Sequence, residues 1–326
     1  MDNESLNQTK QSNAKKWLAA ATAIIIIAAL AFVLGRHNNN SHTAVNNNSG
    51  NQTSKVVNVV AAENFWGSLV SQIGGSHVRV LSIVSDPNAD PHEYESNAGD
   101  ARAVSTADYV IENGAGYDSW MDKLLSASNN PNQKVLNVAT LLGKQDGDNP
   151  HMWYSPDYVN AVTAQMEKDL INVDPADASY YQAQYANLQS SLAEYQGRIS
   201  SIKQKYSGTE VASTESIFAY LADAAGLNLV SPPAFIDAVA EGNDPPASSI
   251  VEFENQLKTG SVKVLVYNEQ TVTPLTQSMK ALAANEGIPV VGVTETIQPP
   301  DATFQEWMNA QILNLQNALN AQALGQ

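Results

Sequence analysis

The sequence predicts an α/β protein with two similar α/β lobes containing parallel sheets, joined by one long rigid helix and preceded by an N-terminal transmembrane helix. Three observations support this fold class. After residue 55, short β-branched apolar segments alternate with segments of helical spacing, which is typical of parallel α/β sheets. A much longer helical pattern interrupts the alternation once, and an uncharged apolar run lies near the N-terminus. The predicted divisions are 1–16 (cytoplasmic N-terminus), 17–34 (transmembrane anchor or uncleaved signal), 35–54 (flexible Asn- and Ser-rich linker), 55–174 (first lobe), 175–206 (linking helix) and 207–326 (second lobe).

The N-terminal region combines an apolar run with polar flanks. Residues 17–34 are 18 consecutive uncharged residues, about the shortest stretch that spans a bilayer as a helix. Three lysines precede this run and Arg36 follows it, so the positive-inside rule keeps the N-terminus cytoplasmic and exports the body. A cleaved signal peptide is the alternative, but the run exceeds the usual signal-peptide core and no small-x-small cleavage site follows. We therefore predict a single-pass anchor in the cell membrane, followed by a polar linker that cannot pack.

Composition excludes several classes of function. The net charge is −16, with 33 acidic and 17 basic residues, which argues against nucleic-acid partners because these require a basic face. An acidic surface keeps the protein soluble and also concentrates cations near it. The sequence contains no cysteine, so disulfides, zinc–thiolate sites, thiol catalysis and a lipidated cysteine are excluded.

The first lobe is predicted from alternating strand and helix patterns. Residues 56–61 are apolar and β-branched, as in a buried strand, and 64–73 have helical spacing that ends at two glycines. The same criteria predict strands at 78–84, 108–113 and 134–138, and helices at 100–106, 120–126 and 157–171. Clusters of proline and aspartate or asparagine predict irregular loops at 86–95 and 148–156.

The linking helix and the second lobe follow from the same patterns. Apolar side chains recur at three- and four-residue spacing through 175–206, which predicts one amphipathic helix. This stripe consists of Tyr181, Tyr185, Leu188, Leu192, Tyr195, Ile199 and Ile202. A helix of roughly 30 residues is about 45 Å long, enough to connect two lobes. The predicted strands of the second lobe are 210–213, 227–230, 262–267 and 289–293, and its helices are 216–225, 248–258, 274–285 and 303–324. Residues 231–247 are rich in Pro, Gly and Asp and are predicted to form a loop.

Four potential metal ligands follow strands in the two predicted lobes. His92 and His151 lie on loops of the first lobe, whereas Glu215 and Glu295 each stand two residues after a strand of the second. Open α/β sheets bind ligands at the carboxyl ends of their strands, and paired lobes form their best cleft between them. Two neutral imidazoles and two carboxylates would neutralise one divalent cation, and this donor set suits Zn²⁺ or Mn²⁺. Because a ligating histidine must be neutral, we expect metal affinity to fall below about pH 6.

Each of these residues also has an ordinary interpretation. A loop histidine is most often solvated, and an acid after a strand can stabilise a helix N-terminus. No local His-x-x-x-His motif supports the set. Other acids that follow strands are Glu93, Glu95, Asp148 and Glu269, and composition does not exclude them. His77 stands at the start of a strand, which is the opposite end of the sheet, and is left out of the set.

Five short motifs occur in order along the chain. They are AENFWG at 62–67, DPHEYE at 90–95, NGAGYD at 113–118, NPHMW at 149–153 and FAYLA at 218–222. Together they resemble the zinc/manganese substrate-binding proteins of ABC transporters, and the likeness covers about residues 55–324. The resemblance implies two lobes joined by a rigid helix, with a metal in the cleft. It also implies ligands at His92 and His151, a third ligand at the position of Glu215 and a fourth, acidic ligand at that of Glu295.

The sequence departs from the family's common pattern at two ligand positions. Zinc-type members often have histidine at the third position, whereas Glu215 is similar to the manganese type. The fourth ligand is often aspartate, and here it is Glu295. An extended His-rich acidic loop of some zinc-type members is missing. Ligand type thus favours manganese, while the Irving–Williams order favours zinc at any such site, so both ions remain open.

The resemblance also implies a function. It indicates a monomeric, non-enzymatic, extracytoplasmic solute-binding protein that captures one Mn²⁺ or Zn²⁺ as its transported ligand. The ion would pass to an ABC transporter permease, which works with a cytoplasmic ATPase. One alternative is a surface adhesin on the same fold, since the family includes members described as adhesins. The other is a metallohydrolase, which would need an open coordination position and a general base, and nothing in the sequence positions Glu93 or Glu269 as that base.

Overall fold

Two four-stranded parallel sheets form the framework of the computed structural model, which describes residues 55–87, 91 and 94–324. The strands are β1 (Val57–Glu63), β2 (Val78–Val84), β3 (Tyr109–Glu112) and β4 (Lys134–Asn137) in the first lobe, and β5 (Glu210–Ser213), β6 (Asn228–Leu229), β7 (Leu265–Asn268) and β8 (Val290–Val293) in the second. The strand orders are β2-β1-β3-β4 and β6-β5-β7-β8, and all neighbours are parallel. In both sheets the winding reverses next to the first strand, which opens a crevice at the carboxyl ends. The predicted two-lobed α/β fold is confirmed.

The helices that the structure describes divide between the two lobes and the link, and α2 and α5 have clear start signals. Those of the first lobe are α1 (Asn64–Gly74), α2 (Ala98–Thr106), α3 (Ser119–Ala127), α4 (Val138–Leu141) and α5 (Pro156–Val173), and α6 (Ala178–Tyr206) links the lobes. Those of the second lobe are α7 (Ala219–Ala224), α8 (Pro233–Ala240), α9 (Ala247–Lys258), α10 (Pro274–Asn285) and α11 (Phe304–Leu324). Asn97 and Asp100 form a capping box that starts α2, and Ser155 caps α5, which has proline at its first position.

The linking helix α6 has 29 residues and is therefore about 43 Å long. A short 3₁₀ turn, Pro175–Asp177, precedes it, where the sequence predicted one continuous helix. The predicted apolar stripe is buried except for Tyr185, which is half-buried. The stripe packs against α1 and α5 of the first lobe and against α11 of the second.

One apolar core extends through both lobes. It includes Val57 and Trp153 of the first lobe, Leu192 of α6, and Val293 and Trp307 of the second lobe. A smaller cluster lies on the other face of each sheet. Because the large core is shared, separating the lobes along α6 would expose apolar side chains of both.

The structure corrects the prediction for residues 231–247. This segment contains α8, whereas the sequence predicted only a loop. Proline at the first helical position fixes the starting φ, and Phe235, Ile236 and Val239 bury one face of the helix. The helix has only eight residues, and the Pro, Gly and Asp around it dominated the composition of the segment.

The predicted N-terminal divisions 1–16, 17–34 and 35–54 lie outside the described residues. Among the helices that the structure does describe, none is both long enough and apolar enough to cross a membrane. The anchor and the linker therefore remain predictions.

Candidate metal centre

His151 lies in the loop between α4 and a short 3₁₀ helix, Met152–Tyr154, and its side chain is fully buried. The loop is fastened to the end of β3. Asn113 Nδ2 donates to the Pro150 carbonyl (3.0 Å), and Trp66 Nε1 donates to Asn113 Oδ1 (3.1 Å). The buried Trp66–Asn113 bond thus anchors the backbone next to His151 on the first sheet.

The hydrogen bonds of Asn149 determine which nitrogen of His151 carries the proton. Asn149 Nδ2 donates to the backbone carbonyl of Ser216 (2.8 Å), which can only accept, so its Oδ1 faces His151. This Oδ1 accepts from the His151 backbone N–H (3.0 Å) and lies 2.8 Å from His151 Nδ1. Nδ1 is therefore assigned as the donor, and Nε2 of the neutral ring keeps its lone pair. An imidazole oriented in this way presents Nε2 as a metal ligand.

Glu215 approaches His151 from the second lobe. It stands two residues after β5, with extended backbone angles, directly before a 3₁₀ turn. Its Oε1 lies 3.1 Å from His151 Nε2, and the two side chains are 1% and 0% exposed. Its Oε2 accepts a short hydrogen bond from Asn268 Nδ2. The Asn268 amide thus fixes Oε2, and Oε1 faces Nε2 of His151 from the other lobe.

Glu295 lies at the same edge of the second sheet, two residues after β8. Its backbone N–H donates to Gln270 Oε1 (2.6 Å), which fixes the main chain. Its Oε1 accepts from Asn268 Nδ2 (2.7 Å) and Thr271 Oγ1 (3.2 Å), and its Oε2 accepts from the hydroxyl of Tyr117 (2.7 Å). Both oxygens therefore have fixed positions.

Asn268, at the end of β7, bridges the two carboxylates. Its Oδ1 accepts the backbone N–H of Gln270 (3.0 Å), so its Nδ2 must face Glu215 and Glu295. The amide hydrogens partly offset two buried negative charges. A polar residue that ends the strand next to β5 is the sequence signal that could have predicted this role.

His151, Glu215 and Glu295 form one cluster. One ligand atom of each residue lies within 4.8 Å of the ligand atoms of the other two, and all three side chains are buried. One neutral imidazole and two carboxylates leave two negative charges for a divalent ion to neutralise. The set combines nitrogen and oxygen donors that first-row transition metals accept. The structure thus brings together three of the four residues predicted from sequence.

The fourth predicted ligand, His92, lies outside the described residues, together with Glu93. The described flanks of its loop are held in place. Pro91 is buried, and Gln298 Nε2 of the second lobe donates to the Pro87 carbonyl (3.0 Å). The His92 loop is therefore fastened to the second lobe at one flank, and His92 remains a predicted ligand.

The cluster does not include Glu95, Asp148 or Glu269, the other candidate acids that the structure describes. Glu95 and Glu269 are exposed. Asp148 accepts a hydrogen bond from the Gln145 backbone within its own loop (3.0 Å). Of the candidate acids that the structure describes, Glu215 and Glu295 therefore belong to the cluster, and these three do not.

Tyr117 reaches Glu295 from a tight loop after β3. Gly114, Ala115 and Gly116 have φ angles of 75°, 56° and 82°, in the left-handed region that glycine adopts most easily. This turn carries the tyrosine ring toward the second lobe, and its hydroxyl then contacts the carboxylate. The two glycines thus permit the contact between the lobes.

Gly114 is also required by close packing. A Cβ there would lie 2.7 Å from Oδ1 of Asn137 and 2.9 Å from Cβ of Ala139. The carboxylate of Asp118 accepts the backbone N–H groups of Asn113 (2.6 Å) and Gly114 (2.8 Å), which closes the turn. Backbone angle and space therefore both favour glycine at position 114.

A groove of about 700 Å³ opens between the lobes beside the cluster. Tyr117, Asn149, Ser216 and Thr271 line it and also contact the candidate ligands or their supports. Its walls further carry three acids, Asp148, Asp237 and Glu241. A groove lined by negative charge raises the local concentration of cations, so it forms a suitable approach to the cluster.

Three further buried acids lie at the carboxyl end of the first sheet. Burial raises the pKa of Glu63 well above its usual range, and the nearby charges of Asp118 and Glu112 raise it further. Burial also raises the pKa of Glu112 to about 7 and that of Asp118 to about 6. These groups therefore retain protons at higher pH than ordinary carboxyls, which limits the negative charge near the cluster.

Comparison with known proteins identifies the family. The family described as "Zinc-uptake complex component A periplasmic" matches residues 59–318. This match covers most of the sequence and most of both lobes. The chain belongs to this family.

Individual relatives are metal-binding proteins. The chain is 25% identical over 249 residues to the manganese-binding lipoprotein MntA of Halalkalibacterium halodurans, which covers 74% of this chain and 79% of the relative. It is 25% identical over 270 residues to the manganese ABC transporter substrate-binding lipoprotein PsaA of Streptococcus pneumoniae (74% and 80%). It is 26% identical over 253 residues to the iron-binding protein YfeA of Yersinia pestis (73% and 78%). All three names describe metal-binding proteins, which agrees at a coarse level with the expected binding protein.

Solved structures share the architecture. The manganese-bound periplasmic metal binding protein of Candidatus Liberibacter asiaticus has a TM-score of 0.65 at 18% identity, covering 81% of this chain and 99% of that one. A crystal structure of ZnuA has a TM-score of 0.65 at 24% identity, with the same coverage. At these identities the likeness concerns the fold, and it matches the two α/β lobes described above.

Proposed function

We propose that this protein is an extracytoplasmic solute-binding protein that captures one divalent transition metal, Mn²⁺ or Zn²⁺, and delivers it to an ABC importer. One observation carries the proposal. Ligand atoms of His151, Glu215 and Glu295, which come from three separate loops, lie within 4.8 Å of one another in a buried position. The Asn149 hydrogen bonds that assign the proton of the His151 ring to Nδ1 support the same conclusion.

His92 is the proposed fourth ligand. It would complete a set of two imidazoles and two carboxylates, with two ligands from each lobe. Because both lobes supply ligands, the ion would be fully coordinated only when the groove between them is closed. Delivery would then require the importer to open the lobes, as in other hinged binding proteins.

The donor set suits two ions. Carboxylates favour manganese, whereas imidazoles and the Irving–Williams order favour zinc. Relatives named for manganese and iron support a first-row divalent ion as cargo. Competition between Mn²⁺ and Zn²⁺ in one titration would give the preference directly.

The proposed location is the outer side of the cell membrane, with the chain acting as a monomer. Residues 17–34 would serve as a single-pass anchor because they are uncharged and long enough to span a bilayer. Two relatives are named lipoproteins, whereas this sequence contains no cysteine to carry a lipid. The proposed partners are an ABC permease and, through it, a cytoplasmic ATPase.

Calorimetric titration of the full-length chain with Mn²⁺ and Zn²⁺ tests the binding claim. Glu215→Gln and His151→Ala each remove one ligand, so both should weaken binding by more than the roughly 10–100-fold typical of a lost supporting residue. Glu210→Gln is the matched control, because Glu210 lies at the opposite end of the same strand. Native affinity in the Glu215→Gln variant would refute the proposed site.

Metal uptake by cells tests the delivery claim. Cells whose only copy carries Glu215→Gln should accumulate no more of the ion than cells without the protein, whereas the Glu210→Gln allele should support normal uptake. Normal uptake through the Glu215→Gln allele would contradict delivery by this site.

A further inference from the structure

A second cluster of metal-ligating side chains lies where the linking helix begins. His77 ends the 3₁₀ turn before β2, whereas Asp174 precedes and Asp177 ends the 3₁₀ turn before α6. One ligand atom of each residue lies within 4.8 Å of those of the other two. We propose that His77, Asp174 and Asp177 form a second site for a divalent transition metal ion, separate from the His151 cluster.

The imidazole of His77 is held in a suitable orientation. Its ring stacks on Tyr180, with centroids 4.0 Å apart and planes at 22°, and meets the ring of Tyr181 nearly edge-on at 6.1 Å. Its Nδ1 lies 2.5 Å from Oδ2 of Asp177. An ion bonded to both atoms at about 2.1 Å would separate them by roughly 3.0–3.4 Å, so the two side chains must part by about 0.5–1 Å. The two side chains are partly exposed, which leaves room for this shift.

Asp174 has the support expected of a ligating carboxylate. It is 9% exposed, and its Oδ2 accepts a hydrogen bond from the Tyr181 hydroxyl (3.0 Å). Metal-binding carboxylates are commonly oriented by a hydrogen bond of this kind.

The charges of the His77, Asp174 and Asp177 cluster also favour binding of a cation. Asp174 and Asp177 carry two negative charges, and in the part of the chain that the structure describes, His77 is the one basic side chain that forms an ion pair with either of them. A neutral His77 leaves both charges uncompensated. One divalent ion would neutralise them, and its donor set would match that of the His151 cluster in kind.

The two sites differ in exposure. The side chains of His77 and Asp177 are each 21% exposed, whereas those of His151 and Glu215 are 0% and 1% exposed. Water can therefore complete the coordination at the second site, and the ion can exchange directly with solvent. We expect weaker binding there than between the lobes. A bound ion would also tie the start of β2 to the 3₁₀ turn before α6 and raise thermal stability.

The test is a Zn²⁺ titration of the full-length chain in which His37 and His42 are replaced by glutamine. These two histidines lie outside the described residues, and their removal prevents extra binding. The expected result is two ions per chain, one tight and one weak. His77→Gln should keep only the tight ion, Glu215→Gln only the weak one, and the double variant neither.

Two further variants control the test. Asp177→Asn keeps a polar partner for His77 while removing the charge, and it should also lose the weak ion. Asp157→Asn alters another acid in the first turn of a helix and should keep both ions. Added Zn²⁺ should raise Tm in the Glu215→Gln chain and leave Tm unchanged in the double variant.

The outcomes separate this proposal from the proposed function. Two ions per chain in His77→Gln, or none in Glu215→Gln, would overturn the second site. Loss of the weak ion in His77→Gln, together with an undiminished tight ion in Glu215→Gln, would support the second site while contradicting the ligand role of Glu215.

Discussion

Asn149 orients the candidate ligand His151 without being a candidate ligand itself. Its Oδ1 holds Nδ1 of His151, and its Nδ2 holds the Ser216 carbonyl of the other lobe. The His151 ring is thereby fixed in the tautomer that carries its proton on Nδ1, with Nε2 pointing toward Glu215. The amide thus orients the ligand and connects the two lobes.

Replacing Asn149 by alanine should therefore weaken metal binding by about 10–100-fold, because the imidazole loses its orienting partner. The measurement is calorimetric titration at fixed pH. Asn187→Ala is the control, since Asn187 is exposed on α6 and its side chain bonds Gln184 of the same helix. Equal affinity in the native and Asn149→Ala proteins would show that Asn149 does not orient the ligand.

Glu112 should make stability depend on pH. Burial raises its folded-state pKa to about 7, above the ordinary value near 4.5. Between these values the folded protein retains a proton that the unfolded chain releases. Its stabilising contribution is therefore complete below about pH 4.5 and is lost as pH rises through about 7, a change of at most about 3 kcal/mol.

Urea unfolding at a series of pH values tests this. Glu112→Gln should flatten the decline in the free energy of unfolding between pH 4.5 and 7. Glu252→Gln, which changes an exposed acid on α9, should leave the decline as in the native protein. An identical slope in native and Glu112→Gln proteins would contradict the assignment to Glu112.

At the residue scale, the sequence could predict the candidate ligands better than the side chains that support them. Glu215 and Glu295 were found because they directly follow strands, and His151 because it stands in a proline-bounded loop. Asn268, Asn149 and Tyr117 act through contacts between residues far apart in the chain, and no local pattern reports such contacts. His77 was set aside because it lies at the opposite end of its strand, yet the 3₁₀ turn before α6 brings two aspartates to it.

The elements of the fold were largely predictable where a pattern was regular. The strand at 78–84 and the helix at 274–285 have the predicted bounds, since apolar residues and a proline mark their ends. The eight-residue α8 was missed because it is shorter than the window in which helical spacing becomes clear. The 3₁₀ turns at 175–177 and 216–218 were predicted as helix because each runs directly into an α-helix, and sequence spacing does not separate a short 3₁₀ turn from the helix that follows it.

The loop after β3 offers a matched pair of variants. Gly114 and Gly116 both have positive φ, but only at Gly114 would a Cβ meet other atoms. Gly116→Ala should cost about 1–2 kcal/mol in the free energy of unfolding, from backbone strain alone. Gly114→Ala should cost roughly 1–3 kcal/mol more, because Asn137 and Ala139 must also move. Urea unfolding measures both, and equal losses would show that close packing at Gly114 contributes nothing.

At the scale of the whole molecule, the two lobes are linked by more than α6. Hydrogen bonds from Tyr117 to Glu295, from Asn149 to Ser216 and from Gln298 to Pro87 cross between them. Sequence periodicity predicted which face of a helix is buried, but not which other element packs against that face. The shared core along α6 and α11 could therefore not be predicted from it.

Anomalous diffraction from crystals of the Mn²⁺-loaded protein, recorded near the manganese edge, tests the central claim most directly. We expect one strong peak between the lobes, about 2.0–2.3 Å from Nε2 of His151 and from oxygens of Glu215 and Glu295, with His92 as the fourth ligand. A weaker peak at His77 would concern only the second site. Strong density elsewhere, with no peak among His151, Glu215 and Glu295, would contradict the account.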